Sequence, residues 1–308
     1  VVEPHSAAYL GEERDFWWST DYLGLVVQRL GVADARSVLD VGAGVGHWGR
    51  ALAPVLSPAA GVLGVEREAV WVKEATRRAG AAGLGERFRY VQGTAEALPF
   101  EDAAFDLVTC QTLLIHVADP RAVIREMLRV TKPGGVLLAA EPNNRASALI
   151  WTSADETASV DDTLERVRFM LLCENGKKAL GEGDNSIGDM LPGWFAEEGL
   201  ADVRVSLSDE APFMVPPYPT PKQQTLARFV REQAETAGYG WTRAEARRFY
   251  LAGGGEDSDF DLAWTRRTGE SARAAAEVEA GIYHSAGGGI MYLVSGRRRV
   301  LEGEQKLS

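Results

Sequence analysis

Ser37-Val38-Leu39-Asp40-Val41-Gly42-Ala43-Gly44-Val45-Gly46-His47-Trp48-Gly49 is the stretch that decides the fold. Its first five residues form a short, mostly apolar run suited to a buried strand, and they pass directly into glycines and then into a helix. Glycines at a strand-to-helix turn let the backbone bend sharply and approach a ligand closely, while the helix N-terminus offers free N–H groups. Taken alone, the pattern is ambiguous. Gly44 to Gly49 also satisfies GxGxxG, the dinucleotide fingerprint. Glu66, an acid ending the second strand, suits either reading, because any ribose diol welcomes a carboxylate acceptor.

Working outward, aromatic and aliphatic residues at helical spacing predict an N-terminal helix over about 15–30. A helix is expected over about 46–55, then strands over 61–66, 88–92, 105–110 and 136–141, with a helix over about 120–130. Strands alternating with helices indicate a parallel sheet covered on both faces. After Pro142 the alternation stops. Residues 143–186 read as a helical insertion, 187–214 as a return to the core, and 215–285 as a second helical insertion. Residues 286–300 hold a last strand at Ile290-Met291-Tyr292-Leu293-Val294, and 301–308 form a tail. The expected architecture is therefore one α/β core over 1–142, completed late in the chain and carrying two helical insertions that form a lid.

Three features separate the two readings of the glycine turn. Asp40 sits immediately before it, where a carboxylate repels pyrophosphate but suits a ligand with an ammonium group and a sulfonium centre. A polar loop, Thr94-Ala95-Glu96-Ala97-Leu98-Pro99-Phe100, follows the third strand and leads to Phe105-Asp106-Leu107-Val108. Lys132-Pro133-Gly134-Gly135 then makes a tight turn into the fifth strand. VLDVGAGVGHWG, GVERE, GTAEALPFEDAAFDLV and TKPGGVLLAAEP, in that order and spacing, resemble the successive motifs of the class I S-adenosylmethionine-dependent methyltransferases that modify small molecules. The resemblance is strong over residues 37–142 and weaker over 288–297.

It implies a Rossmann-like, doubly wound seven-stranded sheet with its last strand antiparallel, and S-adenosylmethionine as cofactor. Carried over by position, Gly42, Ala43, Gly44 and Gly46 pack under the methionine part, with His47 in the next turn. Asp40 faces the amino group, directly or through water. Glu66, with Arg67 beside it, holds the ribose. Thr94, Ala95 and Glu96 contact the adenine, Ala95 through its N–H, and Gln111 lies near the methionyl end. An early tyrosine, Tyr9, is placed to touch the cofactor carboxylate. Thr94 departs from the aspartate common at its position; a hydroxyl accepts less strongly than a carboxylate, and Glu96 is positioned to substitute in part.

The implied reaction is in-line displacement at the sulfonium methyl by an oxygen, nitrogen or carbon nucleophile, which needs alignment and water exclusion above all. A base matters only where the acceptor must lose a proton. His116, after the fourth strand, and His284, before the last one, are the candidates. Tyr283, Glu141 and Asn143 are candidate acceptor contacts at the same rim. Trp17 and Trp18 are candidates for capping the site. The aromatics of the second insertion, Tyr239, Trp241, Phe249, Tyr250, Phe260 and Trp264, read first as core, with part of the set facing the acceptor.

The 308 residues are 45% hydrophobic and 25% charged, enough to bury a sizeable core. A net charge of -11 argues against a nucleic acid partner. Arg297-Arg298-Arg299 reads as a solvated run. Two distant cysteines, Cys110 and Cys173, offer neither a disulfide framework nor a zinc spacing, so no metal is expected and a reducing, cytoplasmic setting is. No leader or membrane span is expected. A small-molecule acceptor is the first reading; an RNA or protein acceptor, or cofactor binding without transfer, are the alternatives.

Overall fold

The computed structural model describes residue 14 and residues 16–235, 240–287 and 290–300. The chain runs α1 (Thr20–Leu30), β1 (Ser37–Val41), α2 (His47–Leu52), β2 (Gly61–Glu66), α3 (Ala69–Ala81), β3 (Phe88–Gln92), β4 (Phe105–Gln111), α4 (Pro120–Val130) and β5 (Thr131–Asn143). It continues through α5 (Asn144–Ser147), α6 (Val160–Ala179), α7 (Leu191–Glu197), β6 (Ala201–Leu207), β7 (Phe213–Met214), α8 (Pro221–Glu232), α9 (Arg243–Ala252), α10 (Asp257–Glu279), β8 (Ser285–Ala286) and β9 (Ile290–Arg297). Seven strands form one sheet in the order β3-β2-β1-β4-β5-β9-β6. β1 to β5 pair in parallel, and β9 lies antiparallel between β5 and β6.

Strand alternation builds the two faces of this sheet. Val38, Leu107, Leu138 and Ala140 point to one side, where they meet Leu23, Val27, Trp48 and Leu52 of α1 and α2. Leu39, Val41, Val108, Leu137 and Ala139 point to the other, against Val123, Ile124 and Met127 of α4 and Leu191 and Phe195 of α7. α4 shows why its sequence folds so. Asp119 caps it by accepting from the Ala122 N–H at 3.0 Å, Pro120 starts the first turn, and one face carries every buried residue. Trp18 belongs to the first face, tilted against Trp48 with ring centroids 5.4 Å apart. The expected turn at Lys132-Pro133-Gly134-Gly135 is an excursion within β5: the partners pass from Phe105↔Thr131 to Leu107↔Val136.

The two segments expected as insertions pack on each other. Phe169 and Cys173 of α6 share a core with Trp241, Ala246, Phe249, Tyr250, Phe260 and Trp264. α6 and α9 touch backbone to backbone, since a Cβ on Gly176 would lie 1.7 Å from the Phe249 carbonyl oxygen. The described aromatics of the second insertion are thus core for this helical body, and the expected partial exposure to an acceptor is not seen; Tyr239 lies outside the described residues. The chain leaves the sheet at Asn143 and returns beside it at Ser186, with which Asn143 bridges.

The run Arg297-Arg298-Arg299 differs from its reading as a solvated run. Arg297 donates to the Leu30 carbonyl at the end of α1 and, at 2.9 Å, to that of Gly134. The Arg298 Nη1 gathers the carbonyls of Arg129 at 2.9 Å and Thr131 at 2.7 Å, at the end of α4. Arg299 donates to Gly199, just past α7, at 3.0 Å. Three consecutive cations thereby satisfy carbonyls at three helix C-termini, where the macrodipole favours them. Replacing Arg298 by Met strands the α4 carbonyls and is expected to cost about 2 kcal/mol in urea-induced unfolding; an unchanged midpoint would show that water replaces the guanidinium.

Candidate functional site

A cleft opens at the carboxyl ends of β1, β2 and β4, where ligands bind in open α/β sheets. Its empty space, counted out into the solvent at its mouth, is about 1020 Å³, and it is lined by residues from five separate stretches of chain. The floor is the glycine turn. Gly42, Gly44 and Gly46 all have positive φ, at 69°, 52° and 79°, a conformation that favours glycine. At Gly46 a Cβ would also fall 2.5 Å from the Tyr90 hydroxyl oxygen, so the turn is packed from beneath as well. Gly42, Ala43, Gly44 and His47 line the cleft. His47 sits between two guanidiniums, with Nδ1 3.3 Å from Arg50 and Nε2 3.4 Å from Arg78.

At one end stand Glu66, Arg67, Thr94, Ala95 and Glu96. The Glu66 carboxylate ties the turn to the second strand, accepting from the Gly44 N–H and the Glu68 N–H at 2.9 Å each. Arg67 pairs with Glu68 at 3.1 Å. Trp71 of α3 and Gly93 complete this end. At the other end are Gln111, Thr112, Leu113, His116 and Val117, faced by Arg14. Arg14 donates from Nη1 to the Thr112 hydroxyl at 2.9 Å and lies 4.8 Å above the Trp17 ring. His116 ends a single 3-10 turn, Leu114–His116, that brings it to the mouth.

Alternation along β1 sets Asp40 apart from the rest. It points to the α2 side of the sheet, 1% exposed, where Oδ2 accepts from the Gly49 N–H at 3.2 Å. It therefore lies under the loop and not on the cleft wall, and its Oδ1 has no hydrogen-bond partner among the described residues. Burial raises its pKa to about 7, against the hydrogen bond from Gly49 and with the nearby charge of Glu66 adding to the rise. Gly46 likewise shapes the turn without lining the cleft.

Glu141 is also sealed, fully buried at the end of β5. Its Oε1 accepts from the N–H groups of Leu113 at 2.9 Å and Leu114 at 2.8 Å, fastening the turn that carries His116. Burial pushes its carboxyl up to about 7 in spite of these bonds. The side chain does not reach the cleft expected for an acceptor contact. Asn143 is a helix cap, accepting from the Ala146 N–H at 3.3 Å and donating to Asp189 at 3.1 Å. Tyr283 is buried with Met214, Tyr218 and Val278 in a second core of the helical body. His284 is exposed and lies 3.7 Å from Glu156. None of these four lines the cleft, whereas His116 does. Tyr9 lies outside the described residues.

Arg14, Trp71 and Thr112 were not singled out in the sequence. Trp71 had a local signal, being in the first turn after the strand that ends in Glu66. Arg14 had none, because only tertiary folding brings it 98 positions along the chain to Thr112. Among the described residues no group of three or more His, Cys, Asp or Glu is placed to hold a metal, and no helix is long and apolar enough to cross a membrane.

Residues 39–139 match the family model described as a methyltransferase domain. The chain is 38% identical over 116 residues to the uncharacterized methyltransferase YcgJ of Bacillus subtilis, covering 38% of this chain and 44% of that protein. It is 36% identical over 147 residues to the demethylmenaquinone methyltransferase of Geobacillus kaustophilus, covering 46% and 61%. Each match thus spans less than two thirds of the relative. Among solved structures, a putative sarcosine dimethylglycine methyltransferase from Galdieria sulphuraria superposes with a TM-score of 0.51 at 16% identity, over 91% of this chain and 85% of that one, and shares the fold.

The raised Asp40 carboxyl has a measurable consequence. Folded, it keeps a proton that the unfolded chain has already lost, so its contribution to stability falls as pH rises from about 4 to about 7. Asp40→Asn keeps the shape without the charge. Its stability relative to the native protein is expected to rise across that window in paired urea titrations; a difference that stays flat with pH would contradict the burial argument.

Proposed function

Because residues 39–139 match a methyltransferase domain model, we propose that the chain is a class I S-adenosylmethionine-dependent methyltransferase, that its cleft binds S-adenosylmethionine and that it transfers the methyl group to a small, largely apolar acceptor. The observation that carries this reading is the order in which the adjacent strands β3, β2, β1 and β4 deliver their carboxyl-end residues to one cleft: Thr94 to Glu96, then Glu66, then the glycine turn, then Gln111 to Val117. That order fits adenine, ribose and methionyl parts in sequence, with a histidine beyond the last.

When bound, the cofactor supplies a methyl group already activated by a sulfonium centre, so the chain's task is alignment and exclusion of water. Glu66 holds the ribose hydroxyls with the lone pairs its backbone donors leave over. Thr94 and the Ala95 N–H orient the adenine, and Trp71 walls it on the α3 side. Arg14, held by Thr112 and Trp17, offers a cation to the methionyl carboxylate. Asp40 acts from beneath the turn, through its field rather than by contact. His116 takes the proton of any acceptor that must lose one.

The helical body is the lid of this proposal, joined to the cleft wall beside His116. Leu149 and Trp151, on the segment leaving the end of β5, are 62% and 51% exposed, an apolar surface that suits an apolar acceptor. The name of the demethylmenaquinone methyltransferase relative points the same way. The net charge of -11 disfavours RNA.

Methyl-labelled S-adenosylmethionine, offered with quinone-like and phenolic compounds and separately with RNA and protein, tests the assignment. Label is expected in an organic-extractable small molecule; label in RNA or protein would overturn the acceptor class. Cofactor binding with no transfer anywhere would favour a binding protein. Glu66→Gln is expected to weaken S-adenosylhomocysteine binding about 10- to 100-fold by calorimetry, the loss of charge-assisted hydrogen bonds.

A further inference from the structure

The Leu114–His116 turn is gripped from two sides. From the core, Glu141 holds it through two backbone N–H groups, at 2.9 and 2.8 Å. From the helical body, the contact is closer still. Gly183 has φ +91°, and a Cβ there would lie 2.1 Å from the Ile115 carbonyl oxygen and 3.0 Å from the His116 Cα. The two backbones meet with no side chain between them. Beside this contact the Lys177 ammonium, 7% exposed, lies 3.5 Å from the same Ile115 oxygen.

Lys177 is itself held. It donates to the Asn185 side-chain oxygen, and the Asn185 amide donates to Glu174 at 3.2 Å. The loop that carries Gly183 is tied down on its far side too, since Asp184 accepts from Arg145 at 2.7 Å and from Lys178 at 3.1 Å. A lysine this deep is costly. Desolvation lowers its pKa, partly offset by the charge of Glu174, and a methionine of similar length would fill the space without that penalty. The cation is informative because of what it points at: the carbonyl one residue before the histidine of the cleft.

We propose that Lys177 is a positioning residue for His116, acting with Gly183 through the Ile115 carbonyl so that the helical body sets where the imidazole stands in the cleft. This rests on the reading of the cleft as the methyl-transfer site. Glu141 fixes the start of the turn and Lys177 its end. A displacement of the helical body relative to the sheet therefore moves His116, and leaves the glycine turn and Glu66 where they are.

Four histidines make the test readable by NMR, because the His116 ring signals can be assigned with His116→Gln. The full chain saturated with S-adenosylhomocysteine is compared with its Lys177→Met, Lys177→Arg and Gly183→Ala variants. In Lys177→Met the His116 ring resonances are expected to shift and the amides of Ile115, His116 and Val117 to exchange about tenfold faster. His47 should stay unmoved and S-adenosylhomocysteine affinity should change by less than about threefold. Lys177→Arg should restore the native signals, and Gly183→Ala should reproduce the shift from the other contact. A folded Lys177→Met protein with native His116 signals and exchange overturns the proposal, as does a change spread equally over His47 and the sheet. Should Lys177→Met not fold, Gly183→Ala decides by the same readouts. Failure of the wild-type protein to bind S-adenosylhomocysteine would instead sink the cofactor reading; His116 signals and exchange would then still be read on the unliganded protein.

Discussion

The carboxylate of Asp40, sealed beneath the first turn of α2, is the constraint on which the site depends. Residue alternation along β1 sends Leu39 and Val41 to one face and Asp40 to the other, so the acid cannot reach the cleft wall. It is held instead by the Gly49 N–H, and burial keeps its pKa near 7. A protein gains no stability from an acid in that position. On the proposed reading its value lies with what binds above: a cationic group favours the ionised form, and pyrophosphate opposes it. The glycines over it then let a ligand come close enough to feel that field.

The second buried acid, Glu141, does for the turn after β4 what Asp40 does for the turn after β1. Each sits near the carboxyl end of a strand, each is desolvated, and each spends its hydrogen bonds on the backbone that shapes a loop. The floor of the cleft and the end that carries His116 are thus fixed from inside the sheet. What the sheet leaves free is the far side of the Leu114–His116 turn, and there the helical body takes over. On the proposed reading, a rigid cofactor end and an acceptor end governed by a separate body suit a fold in which one reaction serves many acceptors.

The α/β core was legible because its signals are local. Apolar runs of strand length, glycines at the strand-to-helix turn and Glu66 at the end of β2 are all read within a few residues, while Thr94, Ala95, Glu96 and Gln111 follow from the family resemblance that the ordered motifs carry. Where the reading departed from the structure, the cause was tertiary. Glu141 and Tyr283 stand near the rim in sequence order, but the first turns inward onto the 113–114 amides and the second into the core of the helical body. The run Arg297-Arg298-Arg299 has the composition of a solvated tail, and only the convergence of α1, α4 and α7 at the base of the sheet gives it carbonyls to bind. Two insertions with no internal periodicity in common gave no sign that they would share one aromatic core.

Calorimetric titration of the protein with S-adenosylhomocysteine and with NAD, at pH 6 and pH 8, tests the central claim most directly. With its ammonium group set over a carboxyl that titrates near 7, S-adenosylhomocysteine should bind more tightly at pH 8, by up to about tenfold. Asp40→Asn should lose that dependence, and NAD should not bind. Tight binding of NAD with none of S-adenosylhomocysteine, or an affinity for the latter that ignores pH in the native protein, would contradict the role assigned to Asp40.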